Sequence, residues 1–466
     1  LKLPQFRHTA RIAIEDVRLQ TALENATGRF RSAREKALAE LPASGELRDH
    51  LKAIRSATLA RLAEHLETFE RNATANGTQV HWARDAAEAR QTVLDIAQQH
   101  GVELAAKSKS MTTEEIGLNR ALEQAGIRAV ETDLGEWIVQ LAGEPPSHII
   151  APAIHKTKEQ VSALFEREAG RPIGVDIPTL TAEARRMLRE KFLAAGMGIS
   201  GGNLAVAETG SIVLVTNEGN GRMVTSLPKV HVAVIGIEKI APTWDQAAAW
   251  LALLARSATG QPLSIYTSII TGPARPGDPD GPREVHIILL DNGRSKLLGT
   301  PYEEALQCIR CGACLNVCPV YREAGGHAYG SPYSGPIGAV ISPLLFGQQN
   351  YAALPQASSL CGACLEVCPV RIDLPRLLLE LRKEAVERGI FPSRRERWAE
   401  RLAANALEDA GRMRKAAALL RWGQKPFARG GRVRLPGALH PAGDRDLPAL
   451  AARSFREMWE KGEFDQ

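Results

Sequence analysis

The chain has 466 residues, 44% of them hydrophobic and 24% charged, with a net charge of +5. That composition suits two or three packed globular domains. No apolar run approaches the ~18 residues that span a bilayer, and Leu1–Ala10 lacks the apolar core of a signal peptide. A cytoplasmic chain, at most peripheral to a membrane, is expected.

Residues 10–75 read as helices. Leu51, Ile54, Leu59, Leu62, Leu66 and Phe69 recur at helical spacing and are expected in the core. Strand-like runs then alternate with helical patterns. The runs are Gln79–Trp82, Val102–Ala106, Ile127–Glu131 and His148–Ala151, with helices at Thr113–Ala125 and Lys156–Arg167. This is the rhythm of a mainly parallel α/β sheet. A second strand-rich block follows at Ala205–Ala207, Ser211–Thr216, His231–Ile237, Ser264–Ile269 and Val285–Leu290.

Gly196-x-Gly198-x-x-Gly201 imitates a dinucleotide fingerprint, but a helix, Ala182–Ala195, comes before it and strands come after. The true motif follows a strand and opens a helix. Gly196 is read instead as a helix C-cap. No Walker A motif is present. Lys107-Ser-Lys109-Ser follows a strand and precedes a helix, the place where open α/β sheets collect ligands. Lys107 or Lys109 there suits a carboxylate or phosphate. Glu208 lies between strands, and Asn217–Arg222 is a glycine-rich turn carrying a cation. A 2-hydroxy-acid site would use Lys107 or Arg222 to clamp the carboxylate and Glu208 or His231 to take the proton. The plainer reading makes these residues surface pairs and turn caps.

All seven cysteines lie between 308 and 368. One group is Cys308-x2-Cys311-x2-Cys314-x3-Cys318-Pro, the spacing of bacterial ferredoxins; the other is Cys361-x2-Cys364-x3-Cys368-Pro. Cys311–Val320 and Cys361–Val370 are an internal repeat. In such pairs the last cysteine of each run crosses to the other cluster. Cluster one would take Cys308, Cys311, Cys314 and Cys368; cluster two would take Cys318, Cys361 and Cys364. The fourth position of cluster two aligns with Ser358. Three thiolates suit a [3Fe–4S] cluster, or a [4Fe–4S] cluster whose fourth iron binds Ser358, His327, water or a partner's residue. Paired zinc sites leave Cys308 and the Cys-x3-Cys steps unexplained. No C-x2-C is followed by His, which excludes haem attachment.

The Gly- and Pro-rich segment 325–336 reads as an ordered loop near the clusters. A helix should follow the second group, with Asp373 and Pro375 at its start and Leu374, Leu377, Leu378 and Leu381 on one face. Such helical connections favour a helical ferredoxin. From Arg382 to Arg434 there are fifteen Lys/Arg against six Asp/Glu. That stretch suits docking on an acidic protein face or an anionic membrane surface, or is simply a set of solvated helix faces. No nucleic-acid-binding motif accompanies it.

The chain resembles the lactate utilisation protein B family, LUD-domain iron–sulfur subunits of a bacterial three-protein L-lactate oxidation system. The resemblance covers nearly the whole chain. It is carried by Lys107–Met111, Gly202–Gly210, Cys308–Tyr321, Leu360–Val370 and the ending Ser454–Trp459. It implies a LUD domain of the ribose-5-phosphate isomerase and CoA-transferase fold, two cluster sites, and two partners: a cysteine-rich subunit and a second LUD protein. The expected division is an N-terminal helical region 1–75, a LUD α/β domain 76–295, a two-cluster helical ferredoxin domain 296–390 and a basic helical region 391–466. The chain shows no nicotinamide or flavin site, so it is expected to relay electrons rather than to oxidise lactate alone. The alternative makes the LUD domain itself the 2-hydroxy-acid site. A third possibility is a sensing role with clusters that never turn over.

Overall fold

A computed structural model describes residues 3–390, 394–434 and 447–463. Leu1, Lys2 and parts of the basic region (391–393, 435–446 and 464–466) lie outside the described residues. Residues 1–388 form one compact unit and 389–466 a second.

The first unit opens with four helices, Leu3–Glu15, Val17–Ala39, Ser44–Ala60 and Leu62–Ala75. Leu51, Ile54, Leu59, Leu62, Leu66 and Phe69 are all buried, as their spacing requires.

The α/β layer uses ten strands: β1 Gln79–Ala83, β2 Leu104–Lys107, β3 Arg128–Glu131, β4 Met197–Ser200, β5 Leu204–Val206, β6 Ser211–Thr216, β7 Val230–Gly236, β8 Ile240–Ala241, β9 Tyr266–Ile270 and β10 Glu284–Leu290. Six form one sheet in the order β1-β10-β7-β4-β2-β3, with every pairing parallel. Its strands alternate between two cores with the period of a pleated strand. Val230, Val232, Val234 and Ile288 pack with Val93, Ile96 and Leu122 on one side. Ala233, Ile235, Ile287 and Leu289 meet Leu62, Leu66 and Phe69 on the other. Strands β8-β5-β6-β9 make a second, smaller sheet.

The structure corrects four local expectations. His148–Ala151 is not a strand but a bend, buried at His148 and Ile149, because His148 Nδ1 accepts the backbone N–H groups of Ile150 and Ala151. The helix expected over Thr113–Ala125 is two, Met111–Glu115 and Leu118–Gln124, broken at Gly117 with φ of +63°. Gly196 is not a C-cap: its N–H donates to the Leu104 carbonyl beside β2, and it leads into β4. Asn217–Arg222 is not simply a turn, since Asn220–Ser226 is helical. Gly198 explains the glycine pattern. A Cβ there would sit 1.9 Å from the Val224 carbonyl oxygen, so the helix Asn220–Ser226 can approach β4 only across a bare backbone.

From residue 303 to 388 the unit has helices and 3₁₀ turns and no strand. The helix Leu374–Glu387 starts at Asp373, whose side chain accepts the Arg376 N–H, and buries Leu374, Leu377, Leu378 and Leu381. The second unit holds helices Arg394–Leu407 and Ala410–Gln424, a small three-stranded sheet and the helix Phe455–Glu460. No helix among the described residues is long and apolar enough to cross a membrane.

Candidate functional site

The cysteine repeat is also a repeat of backbone. Cys314 and Cys364 ride on five-residue helices, Ala313–Val317 and Ala363–Val367. Each helix is opened by a left-handed glycine, Gly312 at φ +75° and Gly362 at φ +85°. Before each glycine stands another left-handed residue, Arg310 at +59° and Leu360 at +55°. Two closely spaced left-handed turns curl the chain so that backbone N–H groups face inward, the geometry of an anion-binding concavity. The Arg310 N–H accordingly donates to Cys308 Sγ at 3.4 Å. The Leu360 N–H donates to Ser358 Oγ at 3.2 Å. Ser358 therefore stands in the second copy where Cys308 stands in the first, and both are half-buried.

Cys308, Cys311, Cys314 and Cys368 line one small cavity, walled by Ile309, Ile337, Val370, Ile372 and Leu374. Burial pushes the Cys311 thiol up to about 12 and Cys368 up to about 11, and holds Cys314 well above its ordinary value. Cys318, Cys361 and Cys364 form the other mutually repelling set. Burial pushes Cys364 to about 12. Such thiols stay protonated unless a strong Lewis acid binds them. Among the described residues, no three cysteine sulfurs come within 4.8 Å of one another. A single tetrahedral zinc would hold its sulfurs about 3.8 Å apart. Four soft thiols lining one apolar cavity fit an iron–sulfur group, in which each thiolate takes an iron of its own.

The N-terminal helices hold these loops. Arg34 Nη2 donates to the Val367 carbonyl at 2.7 Å, and Arg48 Nη2 to the Cys368 carbonyl at 2.7 Å. Arg55 is fully buried, donating to the carbonyls of Ile240 and Leu306, with its guanidinium 4.3 Å from the Trp250 ring.

A second cavity of about 410 Å³ opens at the carboxyl ends of β2, β4 and β7. Its lining includes Lys109, Asn203, Asn217, Glu218, Lys239 and Arg310. Ile309 and Arg310, the two residues between Cys308 and Cys311, form part of its wall, so the two cavities share a partition. Lys239 Nζ donates to the Cys308 carbonyl at 2.6 Å. Burial, with Arg310 nearby, lowers Lys239 to about 7. Burial and the neighbouring Asp133 raise Glu218 to about 7. Behind the wall, Arg294 bridges Glu115 at 2.8 Å and Glu238 at 2.7 Å, and the Tyr333 hydroxyl donates to Glu115.

The LUD domain family model matches residues 66–290, and the 4Fe-4S dicluster domain model matches 304–372, which holds all seven cysteines. The electron transport protein YkgF of Escherichia coli (strain K12) is 44% identical over 98% of this chain and 96% of its own length. Lactate utilization protein B of Bacillus licheniformis is also 44% identical, over 98% and 96%. The chain belongs to the lactate utilization protein B family. Lactate utilization protein B of Macrococcus caseolyticus is 48% identical over 82% of this chain and 80% of its own. A crystal structure of a DUF162 family protein from Deinococcus radiodurans, 15% identical, covers 49% of this chain and 98% of its own at a TM-score of 0.29, too weak a likeness to compare sites.

In this member of the lactate utilization protein B family, the five LUD candidates do not converge. Lys109 lines the large cavity. Lys107 does not: it is buried at the end of β2, paired with Glu131 and Asn119. Glu208 is exposed and accepts the Trp244 N–H at 2.9 Å. Arg222 is exposed on the helix Asn220–Ser226. His231 is fully buried within β7, bonded to Ser200 Oγ at 2.8 Å. His327 turns toward the LUD side, its Nε2 donating to the Pro145 carbonyl. Lys239 and Arg310 escaped sequence reasoning because they join Lys109 and the Asn217–Arg222 segment only through the fold. The position of Arg310 inside the first cysteine run was the one local hint.

Proposed function

We propose that this chain is the iron–sulfur electron-transfer subunit of a multisubunit system that oxidises L-lactate to pyruvate, passing electrons to an acceptor through two clusters. The cysteine cradle supports this reading: seven thiols on two repeated loops, six of them buried or half-buried and Cys361 exposed, with four lining one apolar cavity. The names of the relatives, lactate utilization protein B and an electron transport protein, supply the substrate and the role. Cys308, Cys311, Cys314 and Cys368 would hold the first cluster. Cys318, Cys361 and Cys364 would hold the second, with Ser358 as its fourth ligand. When bound, the clusters supply one-electron transfer. The chain's own residues bury the thiolates, donate N–H groups to Cys308 and Cys368 and brace the loops with Arg34 and Arg48. The partners would be the cysteine-rich and second LUD subunits.

Anaerobic purification with an iron and sulfide count tests the assignment. About eight of each per chain is expected for two [4Fe–4S] centres. A complex that reduces its acceptor equally well with Cys308→Ser and Cys361→Ser would overturn the relay.

A second reading is favoured by the shared partition. The large cavity would bind the 2-hydroxy acid, Lys109 holding its carboxylate while Glu218 takes a proton. Oxidation to pyruvate releases two electrons and two protons: Glu218 would take the hydroxyl proton, the second would pass to water, and the electrons would leave one at a time to the clusters across the partition. Millimolar lactate should then bind wild type and fail to bind Lys109→Ala; lactate that binds neither would remove this reading.

A further inference from the structure

At the amino-terminal end of the parallel sheet, opposite the large cavity, three donor atoms converge. Glu284 and His286 are two residues apart at the start of β10, so both side chains lie on one face. His100 closes the helix Ala86–Gln99. His100 Nε2 lies 3.3 Å from Glu284 Oε2, and His286 Nε2 lies 3.6 Å from the same oxygen. All three atoms fall within 4.8 Å of one another. Gln79 Nε2 also lies 3.5 Å from that oxygen.

Hydrogen bonding does not account for this convergence. The Nε2 atoms of His100 and His286 are both buried without a hydrogen-bond partner, and His286 is only 3% exposed. Two imidazole nitrogens thus stand at ion-pair distance from one carboxylate oxygen without forming a hydrogen bond to it. Lone pairs directed at a cation seated between the three atoms would account for the approach. Tetrahedral coordination by imidazole and carboxylate puts neighbouring ligand atoms about 3.3–3.5 Å apart; the two imidazole–carboxylate separations are 3.3 and 3.6 Å. His286 also has its orienting partner. Its Nδ1 lies 3.0 Å from His81 Nε2, with the rings stacked at 5.3 Å. Where His286 Nδ1–H is the donor and His81 Nε2 the acceptor, His286 Nε2 is left as a lone pair.

We propose that His100, Glu284 and His286 bind a divalent transition-metal ion of the zinc class, with His81 fixing the ring of His286 and water completing the shell. The ion would tie β10 to the end of the helix Ala86–Gln99, and through His81 to β1, in a region without cysteine. The other carboxylate–histidine trio, Glu144, His155 and His327, is satisfied without an ion: Lys156 pairs with Glu144, and His327 Nε2 already donates to the Pro145 carbonyl at 2.8 Å.

The test uses the full cluster-loaded chain, stripped of adventitious metal and titrated anaerobically with Zn²⁺ against a chromophoric chelator. One equivalent should bind tightly, and His100→Gln and Glu284→Gln should each weaken it by more than about tenfold. His81→Gln, which removes only the orienting partner, should weaken it by about 10–100-fold. Iron content should be unchanged throughout. Zinc-edge X-ray absorption on wild type should show nitrogen and oxygen neighbours with imidazole scattering; it remains decisive if the variants fold poorly. A sulfur shell at about 2.3 Å, no tight equivalent, or equal binding by wild type and both ligand variants would overturn the site.

Discussion

Ser358 differs from Cys308 by one atom, oxygen for sulfur, and each is held by the same kind of backbone N–H. If Ser358 completes the second cluster, Ser358→Ala should convert that centre to a three-iron form, seen as a new signal in electron paramagnetic resonance of the oxidised protein. Ser358→Cys should keep the iron count and shift one reduction potential. A spectrum unchanged in both variants would point to another ligand. His231 offers a separate residue-scale test. Burial lowers its imidazole to about 4, so the folded chain holds it neutral while the unfolded chain protonates it below about 6.5. The unfolded state then binds more protons, and stability is lost as pH falls from about 6.5 toward 4. By pH 4 the loss attributable to this group should reach about 3 kcal/mol. Denaturant unfolding of wild type and His231→Gln should show the gap between them narrowing in wild type's disfavour as pH falls.

At the scale of elements, Gly198 governs how one helix meets the sheet. Gly198→Ala must push the helix Asn220–Ser226 off β4, because the obstructing atom is backbone. A loss of about 1–3 kcal/mol or more is expected, measured as a lowered denaturant midpoint with unchanged iron content. The elements that could be read from the sequence were those with strong local periodicity. The leucines of Leu374–Glu387 and the apolar stripe from Leu51 to Phe69 are examples. β4 was missed because a four-residue strand containing Gly198 has no alternation to show. His148–Ala151 misled because an apolar run suggests a strand, while the His148 ring takes the two N–H groups a strand would have used. The cysteine cradle was visible because its ligand spacing is set by one short helix and one turn. The large cavity was visible only in part: Lys109 and the Asn217–Arg222 segment stood out, but Lys239 and Arg310 join them only through the folded sheet.

For the whole molecule, the division after Arg388 is itself testable. A chain ending at Arg388 should keep the fold and iron content of the first unit, because its core closes without the second. Any affinity for acidic partners that the basic helices supply should be lost with them, and in the full chain should fall with added salt. Retention of salt-sensitive partner binding by the shortened chain would reassign the docking surface. The arginine braces carry a consequence for biosynthesis. Arg34 and its carbonyl partner are 333 residues apart, and Arg48 and Cys368 are 320 apart. At ribosomal rates the first helices wait roughly 15–65 s for the loops they are built to grip. Iron delivery must therefore come at the end of synthesis, and the nascent amino-terminal helices must stay soluble with their cationic braces unmatched until the last third of the chain arrives.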